Sequence, residues 1–99
     1  MSEYARVAMF EADDASIDAM VKEISTAEGP PPGVKATRIT VLADRSNGRV
    51  AVSTRYTSEA DMQAGHEAFE AMSPPDTGTI KRVGVQMYEV VLDREALGG

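Results

Sequence analysis

Residues 36–56 read ATRITVLADRSNGRVAVSTRY, two runs rich in β-formers on either side of Asp44-Arg45-Ser46-Asn47-Gly48. An Asn-Gly pair tolerates the positive φ that a tight connection demands, so the stretch predicts a hairpin, with one strand at about Ala36–Ala43 and the next at Arg49–Tyr56. Pairing Ala43 with Val50 sets Val41 against Val52, Ile39 against Thr54 and Arg38 against Arg55. In that register the apolar residues stay on one side, and a slip of one residue turns the whole set over.

Upstream, Ala5–Glu11 carries Val7, Ala8, Met9 and Phe10, apolar on both alternating faces, as in a strand packed on each side. Asp13 or Asp14 then caps a helix whose Ile17, Met20, Val21 and Ile24, at spacings of three, four and seven, form one apolar stripe. Gly29 stops it, and Pro30-Pro31-Pro32-Gly33 lacks the amide donors to continue it. Downstream, Ser58 with Asp61 three residues on reads as a capping box and opens a second helix to about Met72. Placed at about 100° per residue, Met62, Ala64, Gly65, Ala68, Phe69, Ala71 and Met72 fill one arc, with His66 on its border. Ser73–Gly78 reads as a loop, Lys81–Leu92 as a long last strand with Val83, Val85, Met87 and Val91 on one face, and Arg94–Gly99 as a frayed end.

The order strand-helix-strand-strand-helix-strand predicts an α+β, ferredoxin-like fold, a four-stranded antiparallel sheet with both helices on one face, as one domain over residues 1–99. The helix-facing set is then Val7, Met9, Ile39, Val41, Val50, Val52, Val83, Val85 and Met87. The opposite face carries Ala8, Phe10, Leu42, Tyr88, Val90 and Leu92, more apolar surface than water tolerates, and no element remains to cover it. A second copy is the economical cover, so a homodimer is expected.

Composition narrows the function classes. With 42% hydrophobic and 26% charged residues the chain is globular, and its net charge of -6, acidic in both halves, argues against a nucleic-acid partner. The lack of cysteine removes disulfides, thiolate metal sites and cysteine nucleophiles. Neither a secretory signal nor an apolar run of about 20 residues is present, so no membrane partner and a cytoplasmic location are expected. There is no glycine-rich phosphate turn, no pair of histidines and no Gly-x-Ser-x-Gly elbow, and neither a metal nor a cofactor is expected.

One stretch is more specific. In Val50–Phe69 a strand ends in Tyr56, runs through Thr57-Ser58-Glu59-Ala60, and opens a helix carrying His66 before Ala68-Phe69. Together with the element order over Tyr4–Leu92, it resembles the dimeric α+β barrel superfamily, and within it the small antibiotic-biosynthesis-monooxygenase-like proteins. The resemblance implies a homodimer and cofactor-independent oxygenation of a small aromatic or polyketide-like substrate, haem degradation, or no catalysis at all. The oxygenases often use a tryptophan and an asparagine near the pocket; here tryptophan is absent and the one asparagine, Asn47, belongs to the hairpin. That favours a non-catalytic module binding a small (anionic) molecule near Arg6, Arg38 and Arg55, whereas the helix histidine favours an enzyme.

Each candidate residue has two readings. His66, the one histidine, serves proton transfer or haem ligation, or is an ordinary helix-edge residue with a wet nitrogen. Tyr56, Tyr88 and Tyr4 offer phenols, and Tyr56 either hydrogen-bonds a substrate or packs its ring. Arg38 and Arg55, opposed across the hairpin, converge with Arg6 at one corner of the outer face. They need carboxylates of a partner copy, solvent, or a bound anion. Glu89 falls in the helix-facing phase unless a bulge turns it outward. Met9, Met20, Met62, Met72 and Met87, all assigned inward, line a cavity or fill the core.

Overall fold

The computed structural model describes residues 2–72 and 80–96. Its elements are β1 (Glu3–Ala12), α1 (Asp14–Thr26), β2 (Arg38–Asp44), β3 (Arg49–Tyr56), α2 (Glu59–Ala71) and β4 (Ile80–Val90), with the strands in the order β2-β3-β1-β4 and all pairs antiparallel. The architecture is the α+β, ferredoxin-like one. The hairpin register is the predicted one, Arg38 opposite Arg55 through Ala43 opposite Val50. Its connection is longer than a two-residue turn: Arg45–Asn47 form a short 3-10 turn, and Gly48 closes it at φ 64°. The expected Ser73–Gly78 loop and residues 97–99 of the expected frayed end lie outside the described residues.

Both helices begin on the caps read from the sequence. The Asp13 carboxylate accepts the amide of Ser16 at 2.8 Å, and the Ser58 hydroxyl accepts that of Asp61 at 3.1 Å. The apolar stripes are narrower than expected: Ile17 in α1 and Met62 and Gly65 in α2 are buried, while Val21 and Met72 are exposed.

The phase of β1 is the reverse of the expected one. Phe10 lies opposite Val50, Ala8 opposite Val52 and Arg6 opposite Thr54, so Arg6, Ala8, Phe10 and Ala12 face the helices, and Val7 and Met9 face outward. A strand that is apolar on both faces gives no alternation to choose by, and pairing with the one-sided β3 decides instead. On β4 a register shift opposite Met9 and Phe10 leaves Val83 as the extra residue of a bulge. Val85 and Met87 keep their predicted phase beyond it. Before it the phase is turned over, and Arg82, which simple alternation sends outward, stands opposite Phe10 on the helix side.

The helix layer packs as two small clusters at opposite ends of the sheet. At one end Ala12, Ile17 and Val50 pack with Phe10, Met20, Val41 and Ile80. At the other, Val34, Tyr56 and Met62 pack with Tyr4, Ala36, Ala68 and Phe69. Between them the layer is hollow, because α1 leans on the sheet near Ile17 and Met20 and the proline loop carries the chain across the open end. Of the five methionines assigned inward, Met62 is buried and Met20 half-buried, whereas Met9, Met72 and Met87 are exposed.

Tyr56 is fully buried, and α2 crosses it at Gly65, where a Cβ would stand 2.6 Å from the tyrosine hydroxyl and 2.8 Å from Cε1. A methyl group there forces helix or ring to shift, so Gly65→Ala is expected to destabilise the protein by about 1–3 kcal/mol in urea unfolding. A Tyr56→Phe background removes the nearest of these clashes and should reduce that cost. An unchanged cost would show that the ring does not set the helix height.

Candidate functional site

A charged group on the buried face of a central strand requires partners, and Arg6 has them. It is 5% exposed. Its Nε donates to Nδ1 of His66 at 3.1 Å, one Nη donates to Glu70 at 3.4 Å, and its guanidinium carbon lies 4.7 Å from the centre of the Phe69 ring. His66, Phe69 and Glu70 sit three and four residues apart on one side of α2, the spacing that stacks side chains along a helix. Glu70 is shared: Arg82, re-aimed by the bulge, grips both its oxygens.

Two guanidinium groups thus share one carboxylate. Burial, the largest influence, pushes the Arg6 guanidinium down from its ordinary value, with the Glu70 charge opposing the fall; an arginine remains cationic at neutral pH all the same. The hydrogen bond from Arg82, the largest influence, holds the Glu70 carboxyl below the usual carboxylate range, with the charges of Arg82 and Arg6 acting the same way, while Glu70 in turn raises Arg82.

Beside this network lies the hollow, a cavity of about 750 Å³. Ala8, Phe10, Ile39 and Val52 form its floor, Met20 and Ile24 of α1 its roof, Pro30, Pro31 and Val34 one side, and Phe69 the inner end. Charged residues border it at three places, the buried Arg6 and, at its exposed edge, Glu23 and Arg38, with Thr54 also in the wall. Size and lining match a site for a small, mostly apolar molecule.

The sequence-derived candidates are distributed as follows. His66 stands beside the cavity wall, not in it, and its Nδ1 accepts from Arg6. The neutral ring then carries its proton on Nε2, so neither nitrogen offers a lone pair for haem iron, and the residues present do not fit a haem ligated there. Tyr56 is a core residue. Its hydroxyl lies 2.9 Å from Thr54 Oγ1, with either oxygen able to donate, and among the described residues it makes no other hydrogen bond. Tyr88 is exposed on the outer face, across β1 from Ala5, and Glu89 keeps the helix-side phase but is exposed.

The expected convergence of Arg6, Arg38 and Arg55 does not occur, because Arg6 lies on the other face of the sheet. Nor does Arg55 wait for a partner copy: Asp93 at 2.9 Å and Glu3 at 3.4 Å pair with it within the chain. The pairing of Arg6 with Glu70 and the role of Arg82 escaped the sequence reading. The helical spacing of His66, Phe69 and Glu70, and a glycine, Gly84, at the bulge, were the available signals. Among the described residues no group of three metal-ligating side chains comes together, and no helix is long and apolar enough to cross a membrane.

A carboxyl whose folded pKa is depressed contributes stability that is fully present above its unfolded value, near 4.5 for Glu70, and is lost as pH falls through the folded value. Thermal unfolding of wild type and Glu70→Gln from about pH 6 to pH 3 should therefore show the variant losing less stability on acidification. Parallel losses would remove Glu70 from the acid response.

No protein-family model matches the chain, and no curated protein matches it. Solved structures do. A dimeric ferredoxin-like protein from an uncultured marine organism superposes with a TM-score of 0.66 at 13% identity, over 95% of this chain and 100% of that one. A proposed antibiotic biosynthesis monooxygenase from Bacillus cereus gives 0.62 at 20% identity, over 97% and 100%. Another from Chloroflexus aurantiacus gives 0.57 at 13%, over 98% and 100%. At these identities the likeness establishes the fold, and the chain shares the ferredoxin-like α+β fold of dimeric ferredoxin-like and antibiotic-biosynthesis-monooxygenase-like proteins.

Proposed function

We propose that this chain acts as a cytoplasmic homodimer in which each protomer binds one small aromatic or polyketide-like molecule in the cavity between sheet and helices. The observation that carries the reading is the cavity itself, about 750 Å³ of mainly apolar wall inside a chain of 99 residues. A domain this small has little apolar surface to spare, and keeping such a hollow forgoes packing that a few larger side chains would supply. In its catalytic form the reading is a monooxygenase-like oxidation without cofactor, the class named for two of the structural neighbours.

A non-catalytic binding module is the second reading, and the placement of the polar groups favours it. Oxygenation without a metal needs a base that deprotonates the substrate, so that the substrate itself reduces oxygen. The His66 lone pair is engaged by Arg6, and the Tyr56 hydroxyl is spent on Thr54. Oxygen uptake over a panel of hydroquinones and anthrones separates the two. Uptake that falls at least tenfold in His66→Ala supports the enzyme, whereas ligand-induced stabilisation without uptake supports the module.

The dimer rests on the outer face. Leu42, Ala51, Met9 and Gly84 form a row straight across the sheet. Leu42 is 60% exposed, Met9 40% and Tyr88 51%, and no element among the described residues covers them. Beyond β4, Val91 and Leu92 are also exposed, a short apolar extension suited to a second copy. Native mass spectrometry at micromolar concentration should give twice the chain mass, and Leu42→Lys, at a site open in the protomer, should give the monomer with its fold intact. A monomeric wild type would overturn the homodimer.

A further inference from the structure

We infer that the ligand of the cavity carries a carboxylate and that Arg6 is the residue that receives it, with the aromatic body of the ligand lying along Phe69 and the apolar floor. The inference rests on the cavity-binding reading and adds the chemical class to it.

Three observations point the same way. Arg6 is 5% exposed and is one of the residues that line the cavity. Of the five N–H groups of a guanidinium, His66 and Glu70 take two, and those left on the two Nη atoms make the forked edge that matches a carboxylate. The local charge is also unbalanced. Arg6 and Arg82 share the single carboxylate of Glu70. In a chain of net charge -6, a buried guanidinium that shares its one carboxylate with a second arginine runs against the overall charge and so marks a local requirement.

The network also fixes the group in place. Phe69 covers one face of the guanidinium, His66 pins Nε and Glu70 pins one Nη, so the fork is held before a ligand arrives. An arginine immobilised in advance loses little side-chain entropy on binding, and a charged hydrogen bond in an apolar cavity is stronger than one in water. His66 and Glu70 are positioning residues in this account, since neither stands in the cavity wall.

The probes are three matched pairs differing only in the acid group: benzoate and benzyl alcohol, naphthoate and naphthylmethanol, anthraquinone carboxylate and hydroxymethylanthraquinone. Titration calorimetry at neutral pH on the intact protein should find, for the pair that fits, the acid bound on the order of tenfold or more tighter than its alcohol. Arg6→Met, an apolar replacement of similar length that leaves Glu70 paired with Arg82, should erase that preference, and Arg38→Met should preserve it. If Arg6→Met fails to fold, Arg6→Lys keeps the charge without the fork and should lose most of the preference. Equal affinity of acid and alcohol in wild type overturns the carboxylate assignment and leaves the cavity reading standing. A preference lost in Arg38→Met and kept in the Arg6 variants overturns the role of Arg6. Binding by no member of any pair overturns the cavity reading and this inference together.

Discussion

Burying one guanidinium on the helix side of β1 is the constraint from which most of this structure follows. A cation in that layer is costly unless it is bonded, and the bonds come from α2: His66, Phe69 and Glu70 all meet Arg6 within little more than one helical turn. That requirement sets the rotation of α2 about its axis. Gly65, on the neighbouring face of the same turn, then lies against Tyr56, where no side chain fits. The requirement reaches β4 as well, since Glu70 serves a second arginine that is on the correct side of the sheet only because one residue bulges.

How far the fold was legible depended on whether a segment had one apolar face or two. The β2–β3 hairpin had one, and its register followed from Asn47-Gly48 and the alternation of Val50, Val52 and Thr54, pair for pair. The two helix caps were equally local, a serine or aspartate accepting an amide three residues on. β1 had two apolar faces, and there the sequence contains nothing local that chooses between Val7-Met9 and Ala8-Phe10; the choice is made by pairing with β3 and by the partners Arg6 finds on α2. Assigning Val7 and Met9 to the helix side put Arg6 with Arg38 and Arg55 on the outer face. Arg6 instead lies where its donors are satisfied.

The candidate site was legible in its members and not in their roles. His66 and Tyr56 were singled out as groups with usable chemistry, and both do lie in the helix layer beside the cavity. What sequence could not supply was the order of contact, Arg6 to His66 and Tyr56 to Thr54, which turns two apparent reagents into supports. The cavity was equally hidden. It exists because two small clusters at the ends of the sheet leave the middle open, and because Pro30, Pro31 and Val34 carry the chain over the gap instead of filling it.

The two-residue period of β1 divides the labour of the molecule. Even-numbered residues, Arg6, Ala8 and Phe10, line the cavity, and odd-numbered ones, Val7 and Met9, lie under the outer apolar row, so the strand that carries the cavity's buried cation also carries the proposed dimer surface on its reverse. Adjacent residues on a strand cannot move independently. A second copy pressing on Met9 and Leu42 would stiffen the backbone that holds Ala8 and Arg6, and a ligand drawing Arg6 inward would load the same backbone from the other side. If both surfaces act as proposed, ligand affinity and dimer affinity are coupled, and linkage makes the coupling equal in both directions. A substitution at Leu42, which touches no ligand, would then alter binding in the cavity in proportion to how far it frees the protomer from its partner.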